Sequence, residues 1–131
     1  MPRLTVQGES KEFDTGKRLV KAIEELGVHI GHRCGGFARC TTCRVAFVAG
    51  EPDTMTEAEY NKLKERELFG DYRLSCQVCL THDMQVEPQM TLENQGWTDT
   101  GPEPEDSVTP TPEWYPKAEL EAHANEAGEG I

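Results

Sequence analysis

The spacing of four cysteines constrains this chain more than any other feature. Five residues separate Cys34 from Cys40, two separate Cys40 from Cys43, and 32 stand between Cys43 and Cys76. Three thiolates from one short segment and a fourth from a distant one can enclose two tetrahedral iron atoms bridged by sulfide, because soft sulfur ligands suit iron-sulfur chemistry. The stretch from His29 to Cys43 has neither helical nor strand periodicity and contains Gly31, Gly35 and Gly36. Glycines permit the unusual dihedrals of a tightly wrapped loop, and the backbone they leave bare can aim N–H groups at sulfur. Thr41 and Ser75 are candidate hydroxyl donors to the same sulfurs, or solvated loop residues.

Other cysteine chemistries compete. Cys40, Cys43, Cys76 and Cys79 form two CxxC pairs, a spacing suited to a structural zinc-binding module. Zinc would leave Cys34 and the glycines beside it without a role, and Arg44 and Leu80 stand where zinc knuckles usually carry a glycine. A dithiol redox motif at Cys40 and Cys43 would need a helix N-terminus to lower the thiol pKa, but a strand is predicted to follow. Five cysteines cannot all pair internally, and without a leader segment clustered cysteines bind metal or do redox work more often than they form disulfides. His32 could be compared with histidine ligands of other clusters, but four cysteines already complete the set, so it reads as an ordinary loop residue.

Charge divides the chain in two. Residues 96–131 carry nine acids and one base, Lys117, which leaves 15 acids and 12 bases for residues 1–95 of a chain whose net charge is -11. Such a balance excludes a nucleic-acid binder, which needs a basic face. Five of the eight prolines lie beyond Gly96 among acids, Thr and Ser. The expected organisation is therefore one domain over 1–95 and an acidic, Pro-rich tail over 96–131, extended or disordered, in which Trp97, Trp114 and Tyr115 are the largest apolar groups. Met1-Pro2-Arg3 runs directly into an alternating segment, and no run of about 18 apolar residues occurs, so the chain reads as soluble and cytoplasmic.

Local patterns give an α+β order. Leu4 and Val6 alternate with polar neighbours, and Glu12-Phe13-Asp14 resumes the pattern after Gly8-Glu9-Ser10, as in a hairpin. Leu19, Ala22, Ile23 and Leu26 follow helical spacing, with Asp14 or Thr15 as N-cap and Gly27 as terminator. Arg44 to Val48 predicts a strand. Thr56-Glu57-Ala58-Glu59 matches a capping box that opens a charged helix with Tyr60, Leu63 and Leu68 on its apolar face. Arg73 to Val78 and Met84 to Val86 predict two more strands, joined by a turn at Thr81-His82-Asp83, and Lys117 to Ala127 could form a short helix.

The C-x5-C-x2-C loop, together with Arg73-Leu74-Ser75-Cys76-Gln77-Val78-Cys79-Leu80, resembles the adrenodoxin-like 2Fe-2S ferredoxins of mitochondria and bacteria, from about Pro2 to Glu93. That resemblance implies a β-grasp (ubiquitin-like) fold, a mixed sheet crossed by a helix with the cluster near the surface. It implies Cys34, Cys40, Cys43 and Cys76 as ligands of a 2Fe-2S cluster, with Cys79 a small packed residue. It further implies a monomeric one-electron carrier and not an enzyme. The implied donor is a flavin-containing ferredoxin reductase, and the acceptor a monooxygenase or an iron-sulfur assembly system. The gap from Cys43 to Cys76 is shorter than in that group, and the tail lies outside its pattern. Glu51, Asp53, Glu57, Glu59, Glu65, Glu67 and Asp71 surround the charged helix, either to dock a basic reductase or as a solvated face. Arg33, Arg39 and Arg44 are expected to raise the cluster's potential.

Overall fold

In the computed structural model the described residues are 2–32, 41–98, 101, 104, 108, 114–116 and 119–120. Alternation at the N-terminus builds a hairpin: β1 (Arg3–Val6) buries Leu4 and Val6, and β2 (Glu9–Glu12) pairs with it antiparallel as an exposed edge. The remaining strands of the main sheet are β3 (Arg44–Ala49), β5 (Arg73–Leu74) and β6 (Met84–Pro88); β4 (Thr54–Thr56) lies apart. The sheet order is β2-β1-β6-β3-β5, with β1 and β6 parallel and the other pairs antiparallel. This mixed sheet, packed against helix α1 (Leu19–Glu25), is the expected α+β, β-grasp arrangement. The core lies between them, where Leu19, Val20, Ala22 and Ile23 of α1 meet Leu4, Val6, Val45 and Val86 of the sheet. Among the described residues, no helix is long and apolar enough to cross a membrane.

Helix α1 starts later than expected. Its N-cap is Arg18, with no side-chain cap, and not Asp14 or Thr15. The cause is long-range: the backbone before the helix is already engaged with the chain that follows Cys76. Gly16 N–H donates to the Leu80 carbonyl, Leu80 N–H to Lys17, and Leu19 N–H to Val78, at 2.7 to 2.8 Å. A segment bonded in this way, with its own turn closed by Lys17 N–H to the Asp14 carbonyl at 3.1 Å, cannot also be the first turn of a helix. At the other end Gly27, with φ +90°, takes the left-handed conformation that stops the helix.

Helix α2 (Glu57–Glu65) does start at Thr56, whose hydroxyl accepts from Glu59 N–H at 3.1 Å. Only half of the predicted box forms, because the Glu59 side chain turns away into the protein. Fully buried, its Oε2 accepts from Arg73 Nε and from Leu74 N–H, both at 2.8 Å, and its Oε1 accepts from Arg73 Nη2 at 2.9 Å. Arg73 also donates to the carbonyls of Pro52 and Thr54, at 3.1 and 2.9 Å. Burial opposes the Arg73 charge, but the charge and hydrogen bonds of Glu59, with a smaller contribution from Glu51, raise its pKa above the ordinary value. Glu59 is thus no part of an acidic docking face. Glu51 points toward Arg73, and Glu65 is paired with Lys62, which lowers its pKa through a hydrogen bond and charge.

The predicted strand from Arg73 to Val78 is shorter than its pattern suggests. After β5 the chain tightens into one 3₁₀ turn over Ser75–Gln77, in which all three side chains are buried. Sequence patterns also gave no hint of β4, or of the short helix α3 (Leu92–Gln95), opened by a reciprocal capping box between Thr91 and Asn94. Beyond Gly96, the described residues contact the domain. Trp97 closes on Gly31, where an added Cβ would fall 2.7 Å from the indole, and the Pro104 carbonyl accepts from Lys21 Nζ at 3.0 Å. Strand β7 (Trp114–Pro116) pairs antiparallel with β4, Tyr115 packs on the core, and Val108 and Leu120 are buried. Of the predicted helix from Lys117 to Ala127, all but Glu119 and Leu120 lies outside the described residues.

Glu59→Ala should cost about 3–5 kcal/mol in urea denaturation, the range for removing one partner of a buried ion pair, whereas Glu57→Gln on the exposed face should stay within about 0.5 kcal/mol. Equal midpoints for the two variants would contradict the buried clamp. Removing residues 97–131 should lower the melting temperature by about 5 °C or more, since losing the β7 pairing and the Trp97 contact exceeds about 1 kcal/mol; an unchanged transition would show that these contacts do not stabilise the domain.

Candidate functional site

Two of the four candidate ligands lie among the described residues, and the sheet brings them together. Arg44 pairs with Leu74 and Val45 with Arg73, so Cys43 just before β3 comes beside Ser75 just after β5. Ser75 closes the join twice: its backbone N–H and its hydroxyl both donate to the Cys43 carbonyl, at 3.1 and 2.7 Å. Cys43 is 1% exposed and Cys76 is completely buried. Cys34 and Cys40, with Arg33, Gly35, Gly36 and Arg39, lie outside the described residues.

Next to Cys76, Gln77 is buried and oriented. Thr56 Oγ1 donates to Gln77 Oε1 at 2.7 Å, which turns the amide nitrogen toward Cys76, with Nε2 to Sγ at 3.7 Å. A buried N–H aimed at sulfur suits a thiolate, which must otherwise give up hydration when it is enclosed. The sequence offered Ser75 and Thr41 as hydroxyl donors to sulfur; Ser75 gives its proton elsewhere, whereas the Thr41 hydroxyl is engaged as an acceptor. Ser75 Oγ donates to the Cys43 carbonyl, and Thr41 Oγ1 accepts from the Arg44 guanidinium, whose Nε also donates to the Thr41 carbonyl at 2.9 Å. Arg44 therefore braces the end of the cysteine loop.

Two buried residues near the site carried no signal in the sequence. Arg18 is 1% exposed and its Nε donates to the Cys76 carbonyl at 2.7 Å. His32, read as an ordinary loop residue, is 3% exposed with Nε2 3.1 Å from Glu24 Oε2, tying the start of the cysteine loop to α1. Spacing along the chain could not reveal either contact, because each partner comes from a different element.

Cys79 is half-buried and faces a different space. It lines a cavity of about 240 Å³ with Pro52, Thr54, Val78, Thr81 and Trp114. Burial pushes its thiol pKa up, partly offset by the charge of Arg18. Among the described residues, no three of His, Cys, Asp and Glu gather closely enough to hold a metal ion. Cys43, Cys76 and Cys79 are all described, so three members of the rival zinc set do not converge.

A β-grasp sheet that joins two buried cysteines at one end, with a further cysteine pair shortly before Cys43 in the sequence, fits the iron-sulfur class of electron-transfer proteins. Residues 4–81 match the family model described as a 2Fe-2S iron-sulfur cluster binding domain, and the chain belongs to that family. Its cofactor is a 2Fe-2S cluster and it is an electron carrier of the ferredoxin type. A component of the Na(+)-translocating NADH-quinone reductase of Chlamydia felis is 34% identical over 92 residues, 70% of this chain and 21% of that protein. The corresponding component from Pseudoalteromonas atlantica is 35% identical over 72 residues, 55% of this chain and 17% of that protein. The chain thus spans about a fifth of the length of these curated relatives. Among solved structures, an ISC-like 2Fe-2S ferredoxin from Pseudomonas putida superposes with TM-score 0.55 at 26% identity, covering 66% of this chain and 91% of that one. A reductive activator for a corrinoid, iron-sulfur protein superposes with TM-score 0.52 at 29% identity, covering 66% of this chain and 14% of that one.

With its pKa raised, the Cys79 thiol should remain protonated at neutral pH. Its burial therefore contributes stability that is present below the ordinary thiol pKa and lost as pH rises through the folded-state value. Iodoacetamide should label Cys79 in the folded protein more slowly than it labels glutathione at pH 7, with the rate rising into the alkaline range, as mass spectrometry would show. Equal rates at pH 7 would contradict the raised pKa.

Proposed function

We propose that this chain carries one electron at a time between a reductase and an acceptor protein, with its 2Fe-2S cluster held by Cys34, Cys40, Cys43 and Cys76 and with Cys79 outside the ligand set. The observation that carries the ligand assignment is the double hydrogen bond from Ser75 to Cys43, which fixes two buried cysteines from distant parts of the chain side by side. When bound, the cluster accepts and releases single electrons without bond chemistry on a substrate. The residues around it bind and shield. Burial of Cys43 and Cys76 keeps water from their sulfurs, Gln77 Nε2 offers a hydrogen bond to Cys76, and Arg44 keeps Thr41 folded against the loop end.

On this reading the protein by itself is not an enzyme; it works as a cytoplasmic monomer. The electron donor is a flavin-containing reductase driven by a reduced nicotinamide, a choice supported by the relatives named as components of an NADH-quinone reductase. A monooxygenase or an iron-sulfur assembly system takes the electron. With Glu59 buried, Glu51 turned toward Arg73 and Glu65 paired with Lys62, a basic partner is left Asp53, Glu57, Glu67 and Asp71 around α2, and rate dependence on ionic strength would report that docking. Residues 1–95 form the cluster domain, and 96–131 are an acidic, Pro-rich tail of which the described residues Trp97, Pro104 and Trp114–Pro116 contact it.

The purified protein should be brown, bleach with dithionite, and contain about two iron and two sulfide per chain. Serine at position 34, 40, 43 or 76 should abolish that content, while Cys79→Ser should keep it. A colourless protein holding one zinc, and losing it on Cys79→Ser, would end the electron-carrier assignment of these cysteines.

A further inference from the structure

We propose that Arg18 is a positioning residue for the cluster: its buried guanidinium holds the Cys76 carbonyl and supplies a permanent positive charge that favours the reduced state. The inference rests on the assignment of Cys76 as a ligand. Arg18 is among the largest fully buried side chains of the protein, and burying a guanidinium is costly unless its hydrogen bonds are met. Its Nε–H is committed to the backbone of the ligand residue, at 2.7 Å. The Arg18 backbone is fixed as well, by the bridge to Cys79 and by the Leu19 N–H bond to Val78, so both ends of the side chain are anchored.

That anchoring settles what the charge can do. An arginine does not deprotonate in a protein, so the positive charge stays at every working pH. In a dry interior its field is screened far less than that of a surface residue, and it already reaches the neighbouring sulfur, lowering the Cys79 pKa against the effect of burial. One electron from the donor adds one negative charge to the site and Arg18 neither gains nor loses a proton, so the cation stabilises the reduced state more than the oxidised one. The hydrogen bond to the carbonyl also holds the Cys76 peptide in one orientation as the charge changes. An acidic protein with a net charge of -11 opposes added electrons, and Arg18 offsets that opposition from inside.

Redox titration with dithionite and mediators, read from the visible spectrum, tests this in Arg18→Gln and Arg18→Lys. At the wild-type midpoint, Arg18→Gln should hold the reduced form at least tenfold below the oxidised form, a midpoint about 59 mV lower for one electron. Arg18→Lys, which keeps the charge, should stay within about threefold of wild type. An unchanged midpoint in Arg18→Gln with iron and sulfide intact would overturn the proposal, as would an equal fall in both variants. Should Arg18→Gln lose the cluster, NMR of the wild-type protein decides: the Arg18 Nε–H should exchange slowly with solvent and shift between oxidised and reduced forms, whereas rapid exchange without a shift would overturn the role. Cys76→Ser separates the two ideas, because full cluster content in that variant removes the ligand assignment, while its loss together with an unmoved Arg18→Gln midpoint removes only Arg18.

Discussion

The ion pair between Glu59 and Arg73 is the interaction on which the rest of the site depends. A buried pair does not by itself earn stability, since desolvation can exceed the attraction, and an apolar pair of similar volume often serves as well. Here an apolar pair would not serve. Glu59 accepts from the Leu74 backbone as well as from Arg73, and Arg73 satisfies the carbonyls of Pro52 and Thr54. Removing both side chains would leave the buried Leu74 N–H without its partner, at about 1–3 kcal/mol, and would take from the Pro52 and Thr54 carbonyls, which are only partly buried, the donor they share. The pair therefore fastens three segments at once: the chain entering β4, the first turn of α2, and β5. Glu59 also lies in the first turn of α2, where the helix dipole favours a carboxylate.

From that clamp the geometry of the cysteines follows step by step. With Arg73 and Leu74 fixed, β5 pairs with β3 in the register Arg44 to Leu74 and Val45 to Arg73, and that register delivers the Ser75 N–H and hydroxyl to the Cys43 carbonyl. The next residue is Cys76, and the one after it is Gln77, whose amide is turned by Thr56, the N-cap of the same helix α2. The Arg-Leu-Ser-Cys-Gln run thus has one job at each position. Arg73 locks the strand, Leu74 fills the core, Ser75 joins the two cysteine segments, Cys76 presents sulfur and Gln77 faces it.

The cysteines and the order of the main elements were legible in the sequence because they rest on spacing and on period, which are local. What was not legible rests on partners far along the chain. Thr56 and Glu59 look like a complete capping box, and nothing within three residues shows that Glu59 will instead turn to Arg73, 14 positions later. Arg73 to Val78 reads as a strand by its residue types, yet buried Arg, Ser and Gln side chains with fixed partners override the alternation and permit a 3₁₀ turn. Arg18 precedes a helix as a solvated lysine or arginine often does, and only the fold shows Cys76 beside it. Composition likewise cannot register β7, since its link to β4 is made by backbone groups that every residue type carries.

A one-electron carrier works fastest when its ligand frame is the same before and after transfer, because any rearrangement must be repeated at each cycle. On the proposed ligand assignment, the described half of this site is built for that. Cys43 is held through its carbonyl by two donors from Ser75, Cys76 through its carbonyl by Arg18, and Gln77 through its amide oxygen by Thr56. Each of these contacts grips backbone or a neighbouring side chain and not the sulfur. Polar networks of this kind are rigid when every member is satisfied, and in a low-dielectric interior they are also strong. The protein thus places its stiffness in the sheet end that presents Cys43 and Cys76, and its fixed positive charge on the same side. With Cys43 and Cys76 as the proposed ligands and Arg18 in its proposed role, a change of one electron is met by dipoles and a guanidinium already in position.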